Sequence, residues 1–575
     1  MLLMLRSSGQ SVKNIQYAWQ RWHKTVMLQL DMRTFLDQLR SRITGEVSTE
    51  RDTRDFFSTD GSVFRVVPSA VVYPQNEADV VETVAMTAQQ AAAGNQISIT
   101  SRGKGTDQGG AALGSGLMLV MPAHMNHFYE INKSTITIQP GMVYKDLQHL
   151  LHSHGRFLPP YPASIDFATI GGAVANNSAG EKTVKYGSTR DYVERLRVVL
   201  ANGDVITTSR LSAKELRQKQ KQTDFEGHIY RNVDYLIEEN WDQLADAYPR
   251  VSKNSAGYDL WHVKAPDGSF DLGQLIVGSQ GTLGVVTEVT MRHVEYNPQT
   301  HLIVGYFEGM EQAAQAVELL MPLKPSALEV VDHNLLEFLK EHDPAQLKGV
   351  MPDKMPGIVL LVQFDDAKQR LQKAKTKKTV KVFEKLAFEY RVATDLDEQT
   401  KLWKIRRGAA AIIWKFKGAK KALPIIEDGV VPLEQMPRFL EQVYKLFEKY
   451  NLDIAVWGHA GNANFHLQPF MNLGSQVDRK RMFELMNEFY KMVIEMGGST
   501  CGEHNDGRLR APYLKRLYGE HLYGVFEDVK KVFDPLNILN PGVKIGVSLQ
   551  DLPKQLRKEY SMKHLAEHLP NNYNN

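Results

Sequence analysis

The sequence predicts an α+β protein of at least two domains, on three observations. Its 575 residues exceed the size at which a single hydrophobic core stops growing. From about Phe64 to Arg292, short β-rich runs alternate with glycine turns and one clear helical interlude. From about His293 onward, strand-like runs are separated by helical segments, so strands and helices mix throughout.

The elements follow in order. "AVVYP" (Ala70 to Pro74) reads as a strand, "EADVVETVAMTAQQAAA" (Glu77 to Ala93) as an amphipathic helix and "QISIT" (Gln96 to Thr100) as a returning strand, a βαβ unit in outline. A polar, charged, helix-prone insertion lies between Thr207 and Tyr258. The second half opens with the strand-like "HLIVGYF" and "GIVLLVQF" and closes with the amphipathic helix "QVDRKRMFELMNEFYKMVIEMG".

Composition narrows the function. With 43% hydrophobic and 23% charged residues, the chain reads as an ordinary globular protein, and no run of about 18 apolar residues is present to span a bilayer. The single cysteine, Cys501, excludes disulfides within the chain and Cys-ligated iron–sulfur clusters, and fits a reducing, cytoplasmic setting. A net charge of +3 is too small to imply nucleic acid. The basic runs Lys373 to Lys381 and Lys415 to Lys421 read first as solvated faces, and otherwise as a face for a membrane or an acidic partner. The apolar start "MLLML" is shorter than the core of an export signal.

Three glycine-rich stretches follow strands or run into them: "SRGKGTDQGG" (Ser101 to Gly110), "PASIDFATIGGAVANNSAGEKTVKYGSTRD" (Pro162 to Asp191) and "GSQGTLGVVTEV" (Gly278 to Val289). In the first, Gly103, Gly105 and Gly109 miss the dinucleotide spacing, and "AALGSGLMLVMP" after it is strand-like rather than helical. A Rossmann site is disfavoured, and no P-loop motif is present. Glycine with small polar side chains still suits close approach to a ligand and phosphate binding by backbone N–H groups.

"WGHAGNANFHLQP" (Trp457 to Pro469) sets two histidines seven apart. On a continuous helix they would lie about 10 Å apart along the axis, and in one unbroken strand they would face opposite ways. A bend at Gly461 to Asn464 followed by a short strand, Phe465 to Leu467, folds His466 back toward His459, and a shared metal ion becomes geometrically feasible. Ordinary histidines around a tight turn are the alternative.

Together "RGKGTDQGG", "TIGGAVANNSAG…KYGSTRDYVERLRVVLANGDV" and "GSQGTLGVVTEV" resemble the FAD-binding domain of the PCMH type, shared with vanillyl-alcohol oxidase. "GHAGNANFH", "CGEHNDGR" (Cys501 to Arg508) and "FDPLNILNPGVKIG" (Phe533 to Gly546) are similar to the FAD-linked oxidase domain of D-lactate, glycolate and D-2-hydroxyglutarate dehydrogenases. The resemblance covers roughly residues 50 to 548. "FFSTDGSVFRVVPSAVVYP" and "PIIEDGVVPL" look most like the flavin half of large fused dehydrogenases that carry an iron–sulfur module.

The resemblance implies a two-subdomain PCMH-type FAD-binding domain followed by an antiparallel-sheet-plus-helices substrate domain. Its boundaries are an N-terminal extension and helix over 1–50, with Met32 a candidate start; the FAD domain over 51–293, its helical insertion near 208–257; the substrate domain over 294–505; a segment over 506–548 returning to the flavin domain; and a tail over 549–575. It implies FAD against Arg102, Gly103, Lys104, Gly105, Thr106, Asp107, Gly109 and Gly110, and against Ser164, Thr169, Gly171, Gly172, Asn176, Asn177, Ser178, Gly180 and Gly187, with Val285, Val286 and Asn540 completing the site; no histidine falls inside the glycine loops, so the FAD is expected to be non-covalent. Lys104 and Asp107 stand where glycine and serine are usual. An aspartate there requires its carboxylate to point away or to accept backbone N–H groups.

By the same resemblance His459, His466 and Glu503 are metal ligands for zinc or manganese, His504 is the general base, and Arg406 receives the substrate carboxylate, with Arg407 the weaker candidate. Where D-2-hydroxyglutarate enzymes have a lysine, this sequence has Ile426 followed by Glu427 and Asp428, and with only one carboxylate-binding arginine apparent a D-lactate-like monocarboxylate is expected. The implied reaction is oxidation of a D-2-hydroxyacid to the 2-oxoacid. Electrons would leave to a separate quinone, cytochrome, electron-transfer flavoprotein or iron–sulfur subunit, with the protein cytoplasmic or peripheral to the inner membrane. An oxygen-using oxidase, a non-catalytic flavin subunit and a metallohydrolase are the alternatives, the last having no use for the glycine loops.

Overall fold

A computed structural model describes residues 30–415 and 418–565, with the side chains of 408–415 outside the description. The expectations for residues 1–29 and for the end of the tail lie outside the described residues, as does Lys417. Three main sheets follow one another along the chain, each with helices against it, beside two small two-stranded sheets, and this is the α+β architecture expected.

The first sheet has four strands in the spatial order Glu46–Ser48, Ala70–Tyr73, Leu117–Val120, Ile99–Arg102. Its last two pairings are parallel. The helix Glu77–Ala92 links two of these strands, capped by Asn76, whose side chain accepts from the Asp79 N–H. The βαβ outline therefore holds with one change, since Leu117–Val120 sits between the two strands read as neighbours. The apolar "LMLV" is buried on both faces, which suits a central parallel strand.

The second sheet has five antiparallel strands in the order Phe128–Ile131, Thr135–Ile138, Val285–Arg292, Val193–Val199, Val205–Thr208. The polar insertion forms the helices Ala213–Lys221, Phe225–Glu239 and Trp241–Asp246. Phe225, Ile229, Val233 and Ile237 share one hydrophobic cluster with this sheet and with Phe526 and Val529 of the late helix Leu514–Phe533.

The third sheet has seven antiparallel strands in the order Glu389–Ala393, His301–Phe307, Ile358–Phe364, Ala327–Asp332, Ile454–His459, Asn464–Met471, Lys421–Ala422. Its central strand Ile358–Phe364 is buried at every position. One face, with Ile303, Leu328, Leu360 and Val456, packs under the helices Met310–Leu320, Met436–Tyr450 and Gln476–Glu495. The other face, with Leu302, Val331, Leu361 and Trp457, is covered in part by Leu402, Trp403 and Ile405 of the helix Leu396–Lys415. The site lies on this second face.

Lys373, Lys377, Lys378 and Lys381 are exposed on the helix Gln369–Leu386, while Lys375 pairs with Asp366 at 2.9 Å. Among the described residues no helix is long and apolar enough to cross a membrane.

Candidate functional site

The hairpin formed by "WGHAGNANFH" brings the two histidines together. Strands Ile454–His459 and Asn464–Met471 are joined by a short 3₁₀ turn, Ala460–Asn462, with Ala463 in left-handed backbone at φ 47°. Trp457 lies opposite His466, and His459 lies opposite Asn464. The two histidines are therefore diagonal neighbours on one face, within reach of each other. Their rings meet edge to face with centroids 5.3 Å apart and Nε2 atoms 3.4 Å apart.

Glu503 completes the cluster from a distant loop. Its Oε1 lies 3.0 Å from His459 Nε2 and 3.3 Å from His466 Nε2. A divalent ion with bonds of about 2.0–2.2 Å needs ligand atoms about 3.0–3.5 Å apart, so these three atoms fit one. Each of the three side chains is oriented by another residue, an arrangement that metal ligands usually have. His459 Nδ1 lies 2.8 Å from Glu329 Oε1, His466 Nδ1 lies 2.8 Å from the Glu427 carbonyl, and Lys253 Nζ donates to Glu503 Oε2 at 2.6 Å. Burial opposes the charge on Glu503, yet His459 and Lys253 hold its pKa well below the usual carboxylate range. Burial also works against a proton on His466, but Glu427 and Glu503 outweigh it and raise its pKa to about 9.

His504 follows Glu503 and stacks on the His466 ring, centroids 5.0 Å apart. Its Nδ1 is hydrogen-bonded to Glu427 Oε2. Glu427 is itself fixed by the Arg510 guanidinium at 2.7 Å, and both side chains are fully buried. Burial disfavours the Glu427 charge, but His504 and Arg510 drive its pKa far below the ordinary value. Asp428 accepts the backbone N–H groups of Glu503 and His504 at 3.1 and 2.7 Å, which sets the loop that presents both. Arg406 is buried and donates through Nε to Glu329 Oε2 at 2.9 Å. One carboxylate thus braces Arg406 and His459 together.

Sequence reasoning missed Glu329 and Lys253, and saw in Glu427 and Asp428 only a missing lysine. A signal existed for the latter pair, because two adjacent acids inside the apolar run "LPIIEDGVV" are rarely buried without partners.

A single cavity of about 1110 Å³ connects this cluster to the glycine loops. Of the residues expected at FAD, Arg102, Gly103, Lys104, Gly105, Thr106, Asp107, Ser164, Thr169, Gly171, Gly172, Asn176, Ser178 and Val286 line it, as do His459, His466, Glu503, His504, Arg406 and Arg407 at the other end. Gly109, Gly110, Asn177, Gly180, Gly187, Val285 and Asn540, expected there as well, do not line it. Val285 packs into the core. Asn540 ties two loops together, donating to the carbonyls of Ala111 at 2.9 Å and Gln280 at 2.8 Å. The glycines serve the packing of loop on loop: a Cβ at Gly103 would collide with the Thr169 hydroxyl, and one at Gly507 with the Gly109 backbone. The second stretch also holds a short helix, Ile170–Asn176, capped by Thr169.

Asp107 accepts backbone N–H groups from Gly109 at 3.0 Å and Ala111 at 2.7 Å, and the Asn176 amide at 3.0 Å, the second of the two arrangements its position allows. Asn176 receives Gln280, and Gln280 receives the Gly507 N–H, both at 2.9 Å. These bonds lock the three loops to the His504 segment. The wall suits a polar ligand: Gln108, which lines it, buries a carbonyl oxygen with no partner among the described residues, and Lys104 and Lys145 line it beside the hydroxyls of Ser101, Thr106 and Ser164.

The glycine loops and the imidazole–carboxylate cluster thus share one cavity. Residues 68–209 match the FAD binding domain family, and residues 298–543 match the family of FAD linked oxidases, C-terminal domain. The sequence is 29% identical over 530 residues to a D-2-hydroxyglutarate dehydrogenase of Pantoea ananatis, covering 88% of this chain and 51% of that protein. It is 29% identical over 484 residues to the glycolate oxidase subunit GlcD of Bacillus subtilis, covering 83% and 89%. The chain thus spans about half the length of the D-2-hydroxyglutarate dehydrogenases it matches. Its fold matches substrate-bound p-cresol methylhydroxylase with a TM-score of 0.66 at 16% identity, covering 91% of this chain and 98% of that one. The chain belongs to the family of FAD-linked 2-hydroxyacid dehydrogenases.

Proposed function

We propose that the protein oxidises a D-2-hydroxyacid to the 2-oxoacid, using non-covalent FAD and a divalent ion, zinc or manganese, at His459, His466 and Glu503. The observation that carries this reading is the single cavity with the loops at one end and the cluster at the other. When bound, FAD supplies a hydride acceptor and the ion a Lewis acid for the substrate oxygen atoms.

The chain's own residues do the rest. Arg406, held by Glu329, orients the substrate carboxylate through its planar guanidinium. With Nδ1–H donated to Glu427, His504 presents Nε2 as the proton-accepting atom for the substrate hydroxyl. The buried Glu427–Arg510 pair fixes that tautomer. The Asp107–Asn176–Gln280–Gly507 chain holds the base at a constant position relative to the loops. Electrons then leave to a separate acceptor such as a quinone or an electron-transfer flavoprotein.

Anaerobic titration of the purified yellow protein with D- and L-2-hydroxyacids tests this. Bleaching by a D-acid, with the flavin released on acid precipitation, is expected. No bleaching by any 2-hydroxyacid overturns the activity, and colour kept in the pellet overturns non-covalent attachment.

A further inference from the structure

Lys182 lines the same cavity and is 7% exposed. Its Nζ donates to Gln363 Oε1 and lies 3.5 Å from the Ser326 hydroxyl. Among the described residues no carboxylate is within ion-pair distance of it. The two nearby acids are engaged elsewhere: Asp365 with Lys185 and the Tyr186 hydroxyl, Glu181 with the Tyr161 hydroxyl at 2.6 Å and Arg407 at 3.8 Å. A buried ammonium held only by neutral oxygens calls for an anion. Burial drags its pKa below the ordinary lysine value, and Asp365 and Glu181 do not restore it.

Its position relative to Arg406 follows from the sheet. Gln363 lies opposite Ala327, and Leu361 lies opposite Glu329. Gln363 and Glu329 therefore share a face, one strand and two residues apart, about 8 Å. Gln363 Nε2 donates to Gln399 Oε1 at 3.2 Å, and Gln399 precedes Arg406 by seven residues on one helix, about 10 Å along its axis. A five-carbon diacid places its carboxyl carbons about 5 Å apart. With about 3.5 Å to a cation at each end, it bridges cations up to about 12 Å apart.

We propose that Lys182, supported by Gln363 and Gln399, is a second anion subsite that takes a distal carboxylate, so that the site selects 2-hydroxydicarboxylates over monocarboxylates. This rests on the hydroxyacid activity proposed above and replaces the monocarboxylate expected from sequence.

The test compares anaerobic flavin reduction by D-2-hydroxyglutarate and D-lactate in the holoprotein and in Lys182→Met and Lys182→Arg. Calorimetric binding of glutarate and propionate to the oxidised wild type runs alongside. Glutarate should bind at least tenfold tighter than propionate. Lys182→Met should lower the dicarboxylate-to-monocarboxylate ratio of kcat/KM at least tenfold, through KM, and Lys182→Arg should restore most of it. Equal binding of glutarate and propionate by the wild type overturns the subsite, as does an unchanged ratio in Lys182→Met. Loss of flavin from both variants also overturns it, placing Lys182 at the cofactor. Wild-type flavin that no hydroxyacid bleaches overturns the activity itself.

Discussion

The Nε2 atoms of His459 and His466 lie 3.4 Å apart because a tight turn converts a sequence separation of seven into a diagonal contact across a hairpin. Glu503 Oε1 caps the same point at 3.0 and 3.3 Å. The strand that carries Glu329 runs beside the hairpin, with Val331 opposite Trp457. Arg406, His459 and Glu503 therefore form a connected unit, in which a change at one position reaches the others.

The loops depend on Asp107. Asp107→Ala removes the acceptor of two backbone N–H groups and of the Asn176 amide. Bonds to a charged acceptor contribute about 1.5–3 kcal/mol each. We expect FAD retention to weaken at least tenfold with little change in secondary structure, read by flavin fluorescence during reconstitution; retention equal to wild type would refute the bracing role.

Glu427 joins stability to chemistry. Arg510→Met leaves the Glu427 carboxylate fully buried beside His504 without its guanidinium partner. Breaking such a pair from one side costs about 3–5 kcal/mol, so denaturant unfolding should show a loss of that order. Glu427→Gln should cut flavin reduction about 10²-fold or more while flavin content stays near wild type. Reduction within threefold of wild type would remove Glu427 from the tautomer argument.

Asp332 gives a pH signature away from the site. Burial raises its pKa to about 6, although it caps the helix His333–His342 and accepts from Leu335 and Val456 N–H. Its unfolded value is about 3.9. The folded state holds the proton more tightly, so this contribution is present below about pH 4 and is lost as pH rises through about 6. Asp332→Asn imitates the protonated form. It should match wild type near pH 4 and exceed it in stability above pH 7 by up to about 3 kcal/mol; a difference independent of pH would contradict this.

The local signals were readable in advance. Asn76 and the 3.6-residue pattern after it mark the helix Glu77–Ala92, and the Gly461 to Asn464 turn marks the hairpin. What escaped the sequence is non-local. Leu117–Val120 inserts between two strands that look adjacent, because parallel pairing leaves no turn signature. Glu329 meets His459 across 130 residues, and Lys253 meets Glu503 across 250, distances over which no periodicity carries information. The helix Ile170–Asn176 hides in a glycine-rich run because two glycines lower its propensity, while the Thr169 cap and the burial of Ile170, Ala173 and Val174 restore it.

We propose that the cluster and the loops act on one substrate. This is tested most directly by preparing FAD-loaded protein with less than about 0.1 equivalent of divalent metal and following anaerobic flavin reduction by a D-2-hydroxyacid before and after zinc or manganese is restored. Reduction should be at least about 10²-fold slower without the ion, as expected when a Lewis acid that stabilises developing charge is removed. It should recover with one equivalent in wild type but not in His459→Ala. Full-rate reduction in the metal-depleted wild type would contradict the account.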